Sequence, residues 1–255
     1  MYTEFEKDSA PSLENFLKER DIDTVAFDID NTLLATHEYY RQALYEIGMD
    51  VAEQNTTSRR AEDIATEFIQ IVLDEYKRGN YRPILMDEQC ESALRRHFGD
   101  SLDPNLLQIV NDLLEDFYTT SPQIYEATPH VLQVIKSLGA EIVLHSHAQE
   151  EWTRIKAEDL SFAVGFTLPY LATDITEEKD SSSWLRALQL IDCDISKTLV
   201  IGDSFTSDIL PAIHAGCKHL VWIDYYGTGI PQNVEIPSDV EIVVVKNIQE
   251  ILKLK

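Results

Sequence analysis

The sequence predicts an α/β fold, a parallel sheet flanked by helices and interrupted by an inserted all-helical segment, and three observations predict it. Short apolar runs rich in Val, Ile and Leu recur at Thr24 to Phe27, Glu141 to Leu144, Thr198 to Ile201, Leu220 to Ile223 and Glu241 to Val245, as suits strands buried on both faces. Helical patterns lie between several of these runs, and that alternation is the mark of a parallel sheet. From about Leu33 to Tyr125 helical periodicity continues without convincing strands between its elements.

Ahead of the first run, Leu13, Phe16 and Leu17 form a short amphipathic helix expected to dock on the sheet. Within the insertion, Ile64, Phe68, Ile71, Val72 and Tyr76 make one apolar stripe, and Leu106, Val110, Leu113, Leu114 and Phe117 make another. Ser121-Pro122 and Thr128-Pro129 favour extended or turning backbone and mark the return to the sheet. The expected organisation is thus a core of residues 1–33 and 126–255 carrying a helical insertion of residues 34–125. Val131, Val134, Ile135 and Leu138 follow the i, i+3, i+4, i+7 spacing of a helix that Gly139 stops. Ser181-Ser182-Ser183 opens another, continuing through Trp184, Leu185 and Leu188.

A chain of 255 residues that is 44% hydrophobic and 26% charged buries a substantial core and leaves no room for wholesale disorder. Its formal charge of −24 repels nucleic-acid phosphates and anionic membranes. The densest basic clusters are the pairs Arg59-Arg60 and Arg95-Arg96, so nucleic acid is not an expected partner. Cys90, Cys193 and Cys217 are scattered without Cys-x-x-Cys spacing and read as reduced, mostly buried thiols. The acidic start from Met1 to Asp8 carries no apolar run of a secretory signal, and no stretch approaches the ~20 apolar residues of a membrane span. A cytoplasmic location is expected by default.

Asp28 and Asp30 follow the first apolar run, at the carboxyl edge where open parallel sheets bind ligands. Two acids this close repel each other and call for a cation or a shared proton. A hard metal such as Mg²⁺ answers that need, since it takes oxygens from one or two carboxylates plus a substrate phosphate. Taken alone, the pair equally suits a strand cap that opens a turn. A second constellation adds weight: Thr198 to Ile201 runs into Gly202-Asp203-Ser204, with Asp208 five residues after Asp203. Gly202 supplies a tight strand-to-loop turn in this reading, and two strands deliver acids to one crevice.

On these residues the chain resembles the haloacid dehalogenase superfamily of phosphohydrolases. Its first signature, Asp-x-Asp-x-Thr after an apolar strand, matches Asp28-Ile29-Asp30-Asn31-Thr32, and its last, Gly-Asp-Ser with a further Asp, matches Gly202-Asp203-Ser204 and Asp208. The middle signatures, a Ser or Thr closing a second strand and a lone Lys, match Ser146 and Lys179. The resemblance implies a Rossmann-like sheet with a helical cap, and a phosphatase using Mg²⁺. Asp28 would attack phosphorus to form an aspartyl-phosphate, while Asp30 would protonate the leaving group and then activate water. Asp28, the Asp30 backbone carbonyl, Asp203 and Asp208 would surround the metal. Ser146 and Lys179 would bind the phosphoryl oxygens, with Thr32 and His147 completing the phosphate loop. A cap over the crevice would favour a small phosphorylated metabolite as substrate.

Asp30 also bears on reaction type, because family members that cleave carbon–halogen bonds generally lack this second acid, a halide needing no proton. Other readings stay open: a phosphomutase, which returns the phosphoryl group to substrate, or a non-catalytic binding module that meets a basic partner with its acidic surface. Ser at a strand end is ordinarily a turn residue, and Lys in Glu177-Glu178-Lys179-Asp180 ordinarily a solvated charge. Lys156, only ten residues after Ser146, is the poorer candidate for the phosphate-binding lysine. His130, His145, His147 and His214 could be imagined around a transition metal, but their spacing is not diagnostic. His37, Tyr39, Tyr40 and Arg41 open the insertion and suit a helix start as well as a substrate-facing patch.

Overall fold

The apolar runs become strands β1 (Thr24–Asp28), β2 (Glu141–His147), β4 (Thr198–Gly202), β5 (His219–Ile223) and β6 (Glu241–Val245), joined by β3 (Tyr170–Thr173). All pair in parallel, in the order β3-β2-β1-β4-β5-β6. The computed structural model describes residues 10–54, 60–78, 90–92, 94–96, 99, 104–231 and 234–255. They fall into two compact units, Met1–Ala35 with Gln123–Lys255, and Thr36–Pro122.

The alternation of a strand explains how the first unit is layered. On β1, Val25 and Phe27 join a cluster with Leu13, Phe16, Val131, Leu160, Leu199 and Ile201, whereas Ala26 joins Val143, Val200, Trp184 and Ile209 on the opposite face. Every residue of β1 is buried, which is why its sequence lacks the polar alternation of a one-sided sheet. Helices α1 (Ala10–Glu19), α5 (Thr128–Ser137) and α6 (Glu150–Val164) supply the first face, and α7 (Ser181–Gln189) with α8 (Leu210–His214) the second. Helix α1 buries Leu13, Phe16 and Leu17, as its spacing predicts. Leu13→Ala is expected to lower unfolding stability by about 2–5 kcal/mol, read as a shift in denaturant midpoint with activity of the folded protein retained.

Strand β3 has no counterpart among the apolar runs. It is a four-residue edge strand with Tyr170, Leu171 and Ala172 only half-buried, so neither its length nor its burial yields an apolar run. The helix stop at Gly139 is realised with a left-handed φ of 87°. At the start of α7 the cap is Asp180, whose carboxylate accepts from the Ser183 N–H at 3.0 Å; Ser181 is already helical.

In the second unit, helices α2 (Thr36–Gln54), α3 (Ala61–Arg78) and α4 (Pro104–Phe117) are described, and α2 packs against both others. Phe68, Val72, Val110 and Phe117 of the two stripes are buried. The side chains of Ile64, Tyr76, Leu106, Leu113 and Leu114, together with Arg59 and residues 1–8, lie outside the described residues. Tyr39 stacks on Phe117 with ring centroids 4.4 Å apart and donates its hydroxyl to the Phe117 carbonyl, so the helix-start reading of this residue has a packing partner. Among the described residues, no helix is long and apolar enough to cross a membrane.

Candidate active site

The strand order reverses between β1 and β4, and the place beyond the carboxyl ends of strands at such a switch point is where open α/β sheets bind ligands. Asp28 is the last residue of β1, Asp203 directly follows β4, and Asp208 lies on one wide π-turn, Phe205–Ile209, a helix geometry that often accompanies functional sites. One oxygen from each of these three acids lies within 4.8 Å of the others. The loop after Asp28 returns tightly, the Asn31 N–H donating to the Leu34 carbonyl at 2.8 Å with Asn31 at a left-handed φ of 60° that Asn tolerates. Ile29 and Leu33 pin that loop into the core, and the Tyr225 hydroxyl donates to the Asn31 carbonyl.

Lys179 reaches the centre of this cluster. Its ammonium donates to Asp28 Oδ1 at 2.6 Å, Asp208 Oδ1 at 2.7 Å and the His145 carbonyl at 3.0 Å, which uses all three of its protons. Its burial opposes the charge, but the neighbouring Asp208 and Asp28 outweigh that and push its pKa up. Asp208 Oδ2 accepts from the Ser204 N–H, so both of its oxygens are engaged. Asp28 Oδ2, by contrast, is buried without a hydrogen-bond partner.

The Asp30 carboxylate forms a second group. It accepts from Ser146 Oγ at 2.7 Å and from Lys156 Nζ at 2.8 and 2.7 Å on its two oxygens. Lys156 sits on α6, fully buried, with its ammonium 4.0 Å from the centroid of Trp152. Its spacing, only ten residues after Ser146, makes it the poorer candidate in the sequence for a phosphate-binding lysine. The available signal was the spacing Trp152 and Lys156, one helical turn apart and so on one face of a helix leaving the Ser146 strand.

The His147 ring hydrogen-bonds the backbone of Glu177, at 2.9 Å, and of Asp174, and so ties down the loop leading to Lys179. Thr32 is fully buried with its hydroxyl unpartnered. His145 is buried, its Nε2 2.9 Å from Thr173 Oγ1 and its ring edge-on to Trp184. Burial and the Lys179 charge hold its pKa well below the usual histidine range, so it is neutral. Among the described residues no histidine joins the grouping of possible metal ligands.

Gly202 earns its place by space, not by a turn. Its φ is ordinary, but a Cβ there would stand 2.5 Å from both Cβ and Oδ2 of Asp208. Gly202→Ala is therefore expected to displace Asp208 and weaken divalent-cation binding at least tenfold, measured by calorimetry, in a chain that still folds.

The cluster suits a divalent cation. Asp28, Asp30, Asp203 and Asp208 set four carboxylates against the two ammonium groups of Lys156 and Lys179, leaving two negative charges that one such ion would balance. Without it the acids resist ionisation. Burial, then Asp208, push the Asp28 pKa up to about 7 despite Lys179, and burial with Asp28 and Asp208 lifts Asp203 well above the carboxylate range. A carboxyl raised above its unfolded pKa of about 4 stabilises the fold fully below that value and progressively less as pH rises towards 7. Melting temperature in chelator is thus expected to fall between about pH 4 and 7, less steeply in Asp28→Asn, and Mg²⁺ is expected to restore it.

The sequence from residue 22 to 216 matches a family model described as haloacid dehalogenase-like hydrolase. No curated protein matches. Solved structures do: a haloacid dehalogenase-like family hydrolase from Xanthomonas campestris is 17% identical, with TM-score 0.61 over 90% of this chain and 92% of that one. A HAD-hydrolase from Bacillus subtilis bound to magnesium is 17% identical, with TM-score 0.62 over 90% and 96%. A predicted phosphoglycolate phosphatase from Haemophilus somnus is 15% identical, with TM-score 0.59 over 91% and 97%. The similar structures also include a 2-haloacid dehalogenase and a β-phosphoglucomutase. At such identities the likeness is one of fold.

Proposed function

The chain belongs to the haloacid dehalogenase-like hydrolases, and we propose that within that family it is a Mg²⁺-dependent phosphatase acting on a small soluble phosphate monoester. The observation that carries this reading is the second acid. Asp30 is held in the same crevice as Asp28 by Ser146 and Lys156, and a proton donor beside the nucleophile serves an alkoxide leaving group, not a halide.

In this reading an Asp28 oxygen attacks phosphorus, the bond from phosphorus to the leaving oxygen breaks, and the Asp30 proton passes to that oxygen. Water then attacks the phosphorus of the aspartyl-phosphate and gives a proton back to Asp30, releasing inorganic phosphate and restoring both acids. Lys179, centred between Asp28 and Asp208, supplies positive charge to the phosphoryl oxygens. Asp28, Asp203, Asp208 and the Asp30 carbonyl would hold Mg²⁺, which offsets phosphoryl charge and aligns the reacting oxygens when bound.

The test is phosphate release from p-nitrophenyl phosphate, run beside chloride release from 2-chloropropionate. Phosphate release that stops in EDTA and returns with Mg²⁺ is expected, with no chloride. Chloride release, or phosphate release indifferent to EDTA, would overturn the reading. Product analysis with a sugar 1-phosphate separates hydrolysis from return of the phosphoryl group to substrate.

A further inference from the structure

We propose that Lys156 is a positioning residue for Asp30, clamping its carboxylate so that it can shuttle a proton; this rests on the phosphatase reading above. The lysine is an unusual investment. Its side chain is entirely buried, and an ammonium is placed there only when paired and hydrogen-bonded. Among the described residues both of its contacts to an acid go to Asp30, one to each oxygen, and Ser146 adds a third donor to Oδ2. Three donors on two oxygens leave the carboxylate little freedom to rotate. The stem of Lys156 is held in turn by its place on α6, where Trp152 lies one turn earlier with its ring under the ammonium.

The two lysines of the crevice thereby divide its acids. Lys179 pairs with Asp28 and Asp208, and Lys156 with Asp30. The distinction matters because Asp30 changes charge during turnover. When its proton passes to the leaving oxygen, a carboxylate forms where a carboxyl stood, and an ammonium already in contact with both oxygens offsets that charge without reorganising. In the second half-reaction the same contacts hold the carboxylate while it accepts a proton from the attacking water. The proton count closes over the cycle.

A role that passes through the leaving-group proton has a signature that loss of packing lacks. Formation of the aspartyl-phosphate is followed as kcat/KM across substituted phenyl phosphates, from p-nitrophenyl, whose phenolate leaves readily, to unsubstituted phenyl, which needs the proton. Lys156→Met keeps an unbranched apolar stem and removes the donors. It is expected to lower kcat/KM about 100-fold for phenyl phosphate and about 10-fold or less for p-nitrophenyl phosphate. An equal loss across the series would overturn the proposal. If Lys156→Met alone fails to fold, the neutral pair decides: Lys156→Met added to Asp30→Asn is expected to cost nothing beyond Asp30→Asn, whereas additive losses would show that the lysine acts independently of Asp30. A wild-type protein without Mg²⁺-dependent phosphate release would remove the parent reading. An active wild type with uniform losses would remove only the role of Lys156.

Discussion

Asp28→Asn is expected to reduce phosphate release from p-nitrophenyl phosphate on the order of 10⁴-fold or more, the scale of removing a nucleophile. The amide keeps the shape of the side chain and one oxygen, so the fold is expected to survive, but a neutral amide does not form the aspartyl-phosphate on which the proposed hydrolysis depends. The same substitution is expected to stabilise the metal-free protein. Asp28 is buried beside Asp208 and Asp30, and its pKa of about 7 means that ionising it at neutral pH costs free energy. Activity and stability therefore move in opposite directions, which is how a residue retained for chemistry behaves and how one retained for structure does not. Activity within tenfold of wild type would transfer the nucleophile's role elsewhere.

Lys179→Met carries the second large effect. The ammonium contacts Asp28, Asp208 and the His145 carbonyl from a site only 2% exposed, so its loss strands two buried carboxylates. Breaking such a group from one side costs about 3–5 kcal/mol. The loss is expected to be largest in chelator and to shrink when Mg²⁺ is added, since the cation supplies charge at the same carboxylates. Turnover at saturating Mg²⁺ is expected to fall about 10²- to 10³-fold, as for removal of a fixed charge beside a transferring group. Melting curves with and without Mg²⁺ separate the two effects, and equal destabilisation under both conditions would place the cation away from this lysine's partners.

How much of this was legible in the chain follows from what each residue's signal depends on. The buried strands announce themselves because a two-sided sheet demands consecutive apolar residues, as in Thr198 to Ile201. Asp28, Asp203 and Asp208 could be brought together because a parallel sheet delivers the ends of its strands to one edge, and topology converts sequence position into proximity. Strand β3 was hidden because a short edge strand buries too little to need such a run. Lys156 was hidden because its partner, Asp30, lies 126 residues away, and the one local signal, Trp152 a helical turn earlier, does not name that partner. Gly202 was assigned the wrong reason: its turn is unremarkable, and only the approach of Asp208 reveals why a side chain is excluded.

The pairing of β1 also sets an order of assembly. Thr24 lies opposite Glu141 on one side and Thr198 on the other, so the central strand emerges from synthesis long before either neighbour exists. Closing such long loops is entropically unrewarded until the contacts form, and sheets of this connectivity fold slowly. The apolar run that ends in Asp28 must therefore remain unpaired while more than a hundred residues follow it. Leu34 bridging Ile124, and the Ala35 N–H donating to the Gln123 carbonyl at 2.8 Å, hold the two ends of the helical unit together in the folded chain. Beyond that junction β2 follows within a short stretch of chain, whereas Asp203 and Asp208 come later still in the sequence. A nascent chain halted before β4 would therefore hold Asp28 without Asp203 and Asp208.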